Sequence, residues 1–156
     1  MEVDSNEFRH AMGRFPTGIA VITVADGGKI HGMTANSLTS VSLQPPVILI
    51  CVDQHAKCRN LIQKAGLFGV NILKENQMEI SRLFARQPIE KDVEVTFRRA
   101  AKGAAVLDGA LAHLICETIE EVEVGDHTVF FGKVIETSAG EGRPLGFFRG
   151  RYVTVN

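Results

Sequence analysis

The stretch Ile19-Ala20-Val21-Ile22-Thr23-Val24-Ala25-Asp26-Gly27-Gly28-Lys29-Ile30-His31-Gly32-Met33 decides the fold class. It opens with a short β-branched run, turns at Asp26-Gly27-Gly28 and continues extended from Lys29. A turn of this kind between two extended runs predicts a β-hairpin. Downstream, residues 47–52 are apolar on both faces and predict a strand deep in a sheet, with Pro45-Pro46 punctuating the approach to it. Residues 67–73 are strand-like again. Two long extended runs, 110–124 and 127–137, meet at Gly125-Asp126 and predict a second hairpin. Residues 147–155 predict one or two closing strands around Gly150.

Helical signals are few. Phe8, Met12 and Phe15 recur at helical spacing over residues 5–15, with Ser5 or Asn6 as N-cap and Pro16 and Gly18 as stops. Residues 56–65 predict a second helix closed by Gly66, and 76–85 a third with Met78, Ile80, Leu83 and Phe84 as its apolar set. Residues 86–107 read as irregular around one short strand. The sum is a mainly β chain: an antiparallel barrel with a few short helices, in a single domain over residues 1–156. Rossmann alternation is absent, as is a GxGxxG after a strand, so any nicotinamide cofactor is held in some other way.

The 156 residues are 45% apolar and 22% charged, with a formal charge of −1. This is ordinary globular composition and gives no reason to expect nucleic acid or an anionic membrane as partner. No apolar run is long enough to cross a bilayer. MEVDSNEFRHAMGRF has early acids and no apolar signal core, so a cytoplasmic location is expected. Three cysteines, Cys51, Cys58 and Cys116, read as free thiols. Cys51, His55 and Cys58 would make only three zinc ligands with no fourth nearby, and no metal is expected.

Chemistry concentrates in three places. Thr34, Asn36, Ser37, Thr39, Ser40 and Ser42 put six hydroxyl or amide side chains into nine residues. This is either an exposed edge strand or a ledge of donors and acceptors for a polar heterocycle or phosphate. Gln54-His55-Ala56-Lys57-Cys58-Arg59 sits where a buried strand enters a helix, whose N-terminus favours an anion; Lys57 and Arg59 are either surface cations or part of that site. Gly125-Asp126-His127-Thr128 is either a plain hairpin turn or a turn that presents His127 to a ligand. No GxSxG, HExxH or Walker loop is present.

Taken in order, Phe8-Arg9-x-Ala11-Met12-Gly13-x-Phe15-x-Thr17-Gly18, Gly32-Met33-Thr34-Ala35-Asn36-Ser37, Ser40-Val41-Ser42, Gly69-Val70-Asn71-Ile72-Leu73, Phe84-Ala85, Gly125-Asp126-His127-Thr128, Pro144-Leu145 and Gly150-Arg151-Tyr152 resemble the short-chain flavin reductases. These are small components of two-component flavin-dependent monooxygenases. The resemblance implies an FMN-binding split barrel, a Greek-key antiparallel β-barrel that dimerises, and hydride transfer from NADH or NADPH to FMN or FAD. The reduced flavin would go to a partner monooxygenase; a flavin-storage protein without turnover is the alternative. By the same resemblance, Thr34, Ala35, Asn36, Ser37, Leu38, Thr39 and Ser40 would line the flavin ring and ribityl chain. Gln54, His55, Ala56 and Lys57 would approach the phosphate, and Phe84, Ala85 and Tyr152 would also belong to the cofactor site. His127 would face the nicotinamide, near Thr17 and Gly18, as the catalytic residue. Three departures from the family pattern stand out: Leu38 where Phe is frequent, Gly146 where a bulky apolar residue is usual, and the Gln54-His55 pair.

Overall fold

The computed structural model describes residues 1–156. Its elements in order are α1 Ser5–Met12, β1 Thr17–Gly18, β2 Ala20–Asp26, β3 Lys29–Ala35, β4 Leu38–Leu43, β5 Pro46–Asp53, α2 Lys57–Ala65 and β6 Leu67–Ile72. Then follow α3 Met78–Phe84, β7 Phe97–Arg99, β8 Ala105–Leu107, β9 Ala112–Val124, β10 His127–Ala139, β11 Leu145–Phe148 and β12 Arg151–Thr154. The opening hairpin is β2–β3, paired from Ala20↔Ala35 to Asp26↔Lys29, with Gly27 at φ 60 in its turn. The second hairpin is β9–β10, closed at Gly125 and Asp126.

Seven strands form one antiparallel sheet in the order β3-β2-β6-β9-β10-β5-β4. Strands β3 and β4 are neighbours in the chain but lie at opposite edges of that sheet. At about 4.8 Å per strand, the edges of a flat seven-stranded sheet would stand about 29 Å apart. Only Asn36 and Ser37 join Ala35 to Leu38, a reach of at most about 11 Å. The sheet must therefore curl until its edges nearly meet. Ser37 secures the corner: its hydroxyl donates to the Cys51 carbonyl at 2.9 Å and accepts from the Cys51 amide at 3.3 Å. No ladder joins β3 to β4, so the barrel closes at a corner and stays split along the seam.

Strand β2 shows why its sequence is apolar without alternation. Ala20, Ile22 and Val24 point into the barrel with Ile48, Ile50, Val52, Phe68, Val70 and Phe130, where Cys58 and Ile62 of α2 also pack. Val21 points the other way, into a second cluster with Ile19, Leu73, Ile80, Leu107 and Leu145. A strand covered on both faces needs no polar side.

One polar residue in that layer is indispensable to it. Asn71 is fully buried, and its amide nitrogen donates to the Val21 carbonyl at 2.9 Å and to Thr23 Oγ1 at 3.0 Å. Its carbonyl accepts from the Leu107 amide at 2.9 Å, and Thr23 in turn donates to the Ala105 carbonyl at 2.7 Å. Strand β8 is thus docked on the barrel by side-chain hydrogen bonds. The approach is close: a Cβ on Gly69 would lie 2.4 Å from Thr23 Oγ1 and 2.6 Å from the Ala105 carbonyl.

Several expectations need correction. Helix α1 stops at Met12, capped at its start by Asp4, which accepts from the Asn6 amide at 2.6 Å. Its apolar set is left largely exposed: Phe8, Met12 and, beyond the helix, Phe15 are 60%, 54% and 69% exposed. The third helix is a 3-10 turn, Glu75–Gln77, running into α3. Residues 86–107 hold two short paired strands, β7 and β8, where one was expected. The extended run after Gly32 breaks at Asn36-Ser37, so Pro45 falls in the β4–β5 turn and Pro46 opens β5. Gly146 is explained by crowding, because a Cβ there would meet the Val155 and Val153 side chains at 2.8 and 3.0 Å.

Replacing Asn71 by Ala strands the Leu107 amide and removes a donor from the Val21 carbonyl and Thr23. At about 1–3 kcal/mol per unsatisfied buried group, the loss should reach about 2–4 kcal/mol. Urea unfolding of Asn71→Ala against the parent protein measures it.

Candidate active site

The corner where the chain crosses the seam carries a recess of about 300 Å³. Its walls are apolar, from Phe15, Pro16, Ile19, Ala20 and Ile72, and the expected residues Thr17, Gly18, Ala35, Asn36 and Leu38 complete it. Thr17 Oγ1 is shielded from solvent and has no hydrogen-bond partner. A shielded hydroxyl without a partner is rare enough in a folded chain to mark this recess for attention. Asn36, exposed at the mouth, adds an amide.

A second, larger cleft of about 440 Å³ opens along the same strand, β3. His31, Gly32, Met33 and Thr34 form one side, His55, Ala56 and Lys57 the entry to α2, and Phe84, Ala85 and Arg86 the exit from α3. Gly32 is required here, because a Cβ would sit 2.6 Å from the Phe84 ring. No carboxylate lines the cleft. Helix α2 starts from Ala56 in extended geometry with no side-chain cap, so its first amides keep free hydrogens beside Lys57. Burial, then the charges of Lys57 and Arg86, hold the His31 imidazole below its ordinary value. The cleft is cationic by its lining, with Lys57 and Arg86 on opposite sides.

Other expected residues are used differently. Thr34 donates to the Ser81 carbonyl at 2.6 Å, which ties β3 to α3, and Ser37 is committed to Cys51. Thr39 and Ser40 are exposed on β4, the sheet edge, so the second half of the polar stretch is an edge strand, while in its first half Asn36 stays exposed. Gln54 does not line the cleft; its side chain donates to the Gly125 carbonyl at 2.9 Å and its amide to the Asp126 carbonyl at 3.0 Å. These bonds fasten the β9–β10 turn beside His55. Arg59 turns away from any anion site to pair with Glu123 at 2.7 Å and to donate to Thr128 at 2.9 Å. Tyr152 bonds Ser81 Oγ at 2.8 Å and meets Phe147 edge to face, and it does not line the cleft.

His127 lines neither recess. It stands opposite Asp53 at the end of β5, on the turn that Gln54 holds. Its Nδ1 lies 2.7 Å from Asp126 Oδ1, and that hydrogen bond, with the His127 charge, keeps the Asp126 carboxyl below the usual range. An ionised Asp126 fixes the proton on Nδ1 and leaves Nε2 directed outward. The three thiols take no part: burial raises Cys51 and pushes Cys58 and Cys116 up to about 12.

His31 and Arg86 were not anticipated from the sequence. His31 could have been flagged by its position just upstream of the Gly32–Ser37 block. Arg86 carries no such signal, since a residue after a helix reads as loop.

The model of the flavin reductase like domain matches residues 12–156. The chain belongs to the flavin reductase-like family. An NADH-dependent flavin reductase from Rhodococcus sp is 39% identical over 155 residues, covering 97% of this chain and 86% of that protein. The reductase component of a 4-nitrophenol 4-monooxygenase/4-nitrocatechol 2-monooxygenase from Rhodococcus opacus is 35% identical, covering 96% and 80%. Among solved structures, the flavin reductase PheA2 superposes with a TM-score of 0.93 at 42% identity, over 99% of each chain. The Streptomyces globisporus NADH:FAD oxidoreductase SgcE6, in complex with NAD and FAD fragments, gives 0.89 at 36% identity, covering 100% of this chain and 98% of that one. The split barrel of this reductase is therefore the family's fold.

In this flavin reductase the charge at Lys57 is one of the forces lowering the His31 pKa. Lys57→Ala should move His31 upward toward 6.5 without reaching it, because burial, the largest cause, remains. An NMR titration of the imidazole resonances reads the shift; a value unchanged or lowered would contradict the assigned field.

Proposed function

We propose that this flavin reductase oxidises NADH and reduces FMN or FAD, and that the reduced flavin serves a monooxygenase partner. The carrying observation is the pair of recesses along β3. One is apolar with an orphaned hydroxyl and an amide at its mouth; the other is cationic and free of carboxylates. A flavin nucleotide has this division of chemistry, a flat ring with a polar edge joined to an anionic tail. When bound, the flavin supplies the hydride-accepting N5 and the protein need provide no acid or base of its own.

The residues have distinct duties. Phe15, Ile19 and Ile72 exclude water from the ring recess, and Thr17 and Asn36 offer it hydrogen bonds. Lys57 and the uncapped amides of α2 take the phosphate shared by FMN and FAD. Phe84, held by Gly32, walls the tail side. His127, with its proton fixed on Nδ1 by Asp126, orients the nicotinamide through Nε2 at the rim. This is positioning of two rings, the main lever a protein has when the cofactor carries the reaction.

The working form is a homodimer in the cytoplasm, with residues 1–156 acting as one domain. No helix is long and apolar enough to cross a membrane. Phe8 and Met12 on α1, Phe15 just after it, Val41 and Leu43 on the edge strand β4, and Ile119, Val122 and Val124 on β9 are all exposed. A second copy covering these faces is the economical way to bury them. Light scattering of the purified protein should give twice the chain mass; a monomer at micromolar concentration overturns the dimer.

Loss of the nicotinamide absorbance band on mixing the protein with NADH and FAD or FMN tests the reaction. Flavin binding without NADH oxidation would support storage instead. His127→Ala should raise KM for NADH about tenfold, the loss of one oriented hydrogen bond, while flavin affinity stays within twofold. Equal loss of both would give His127 to the flavin or the fold.

A further inference from the structure

Three non-glycine residues have left-handed backbone: Lys102 at φ 54, Arg149 at φ 52 and Arg86 at φ 56. Two of them have local employment. Lys102 pairs with Glu117, and Arg149 lies over the Phe148 ring at 5.0 Å while its amide bonds to the Gly13 carbonyl. The Arg86 guanidinium has no carboxylate, carbonyl or ring partner, and it lines the cationic cleft.

Its backbone is set by helix ending. The Gln87 amide donates to the Arg82 carbonyl at 2.9 Å and the Arg86 amide to the Leu83 carbonyl at 3.1 Å, which is the Schellman pattern with Arg86 at its left-handed position. Glycine is the favoured residue there. Helix α2 ends in the same left-handed geometry, and there the residue is Gly66, at φ 65 and away from the cleft. At the end of α3, beside the cleft, a long cation stands at the position where α2 has glycine. Four residues earlier, Arg82 is neutralised by Glu79, so the charge left open on this helix is Arg86 alone.

The cations of the cleft come from opposite walls, Lys57 from the start of α2 and Arg86 from the end of α3. The His31 imidazole feels both, Lys57 more strongly. Resting on the flavin reading above, we propose that Arg86 is a specificity-determining residue that holds a second phosphate. The site then prefers a flavin diphosphate, FAD, over the monophosphate FMN. A single phosphate at the α2 amides leaves Arg86 unpaired, whereas a diphosphate engages both walls.

The test is fluorescence-quenching affinity for FAD, FMN and riboflavin in the parent protein, Arg86→Gly, Arg86→Lys and Lys57→Ala. Arg86→Gly should weaken FAD about tenfold and leave FMN within twofold, in keeping with loss of a charge-assisted contact. Its Tm without ligand should stay level or rise, because glycine suits the left-handed position. Arg86→Lys should recover part of the FAD affinity. Lys57→Ala should weaken FAD and FMN alike and spare riboflavin. Equal loss of FAD and FMN in Arg86→Gly, or no loss of either, overturns the assignment. So does an effect confined to KM for NADPH, which would give Arg86 to a dinucleotide phosphate. A parent protein that binds neither flavin overturns the underlying reading as well, and is told apart because it appears before any substitution is made.

Discussion

Two residues have to carry the chain between the far edges of a seven-stranded sheet, and the architecture follows from that short span. Asn36 and Ser37 cannot bridge a flat sheet, so the sheet rolls, and Ser37 locks the roll by bonding both backbone groups of Cys51. The ring recess lies at that corner because the corner is where a barrel with an open seam exposes its interior. The cationic cleft lies along the same strand because β3, left without a ladder partner on its outer side, is free to be flanked by the ends of α2 and α3. Fold and site share one cause.

The layer behind β3 keeps those helix ends in place. Thr34 bonds the Ser81 carbonyl, and Ser81 bonds Tyr152, so α3 is tied to the barrel on one side and to the small β1-β11-β12 sheet on the other. Beneath it, Thr23 and Asn71 each make one side-chain bond to β8, and two more from Asn71 tie it to Val21 and Thr23 of β2. Gly69 and Asn71, which reach sequence analysis only as part of a family block, thus have a mechanical meaning: one admits the Ala105 backbone and the other binds Leu107 next to it.

The strands were legible because hairpin chemistry and apolar runs are local signals. Gly27-Gly28 and Gly125-Asp126 mark their turns without reference to anything distant. Positions set by tertiary contact were less so. Tyr152 and Gln54 look like ligand residues in a linear reading, yet one props α3 and the other fastens a turn, since what a side chain meets depends on strands far away in sequence. The helical spacing of the apolar residues around α1 reports amphipathicity but not what covers the face. Arg86 was invisible for a further reason: its left-handed backbone is a property of how α3 ends, and arginine there is the opposite of the residue that such an ending advertises.

The bare start of α2 carries a last consequence. Alanine is among the poorer residues at a helix N-cap, costing about 0.5–2 kcal/mol against serine or aspartate, and a side-chain cap at Ala56 would occupy the amides that an anion needs. The start of α2 is therefore left open, and on the proposed flavin reading the phosphate completes it. On that reading, binding stabilises the folded chain and release of the flavin returns the first turn of α2 to water. A carrier that must hand its cargo onward benefits from a grip whose loosening is already part of its own fold.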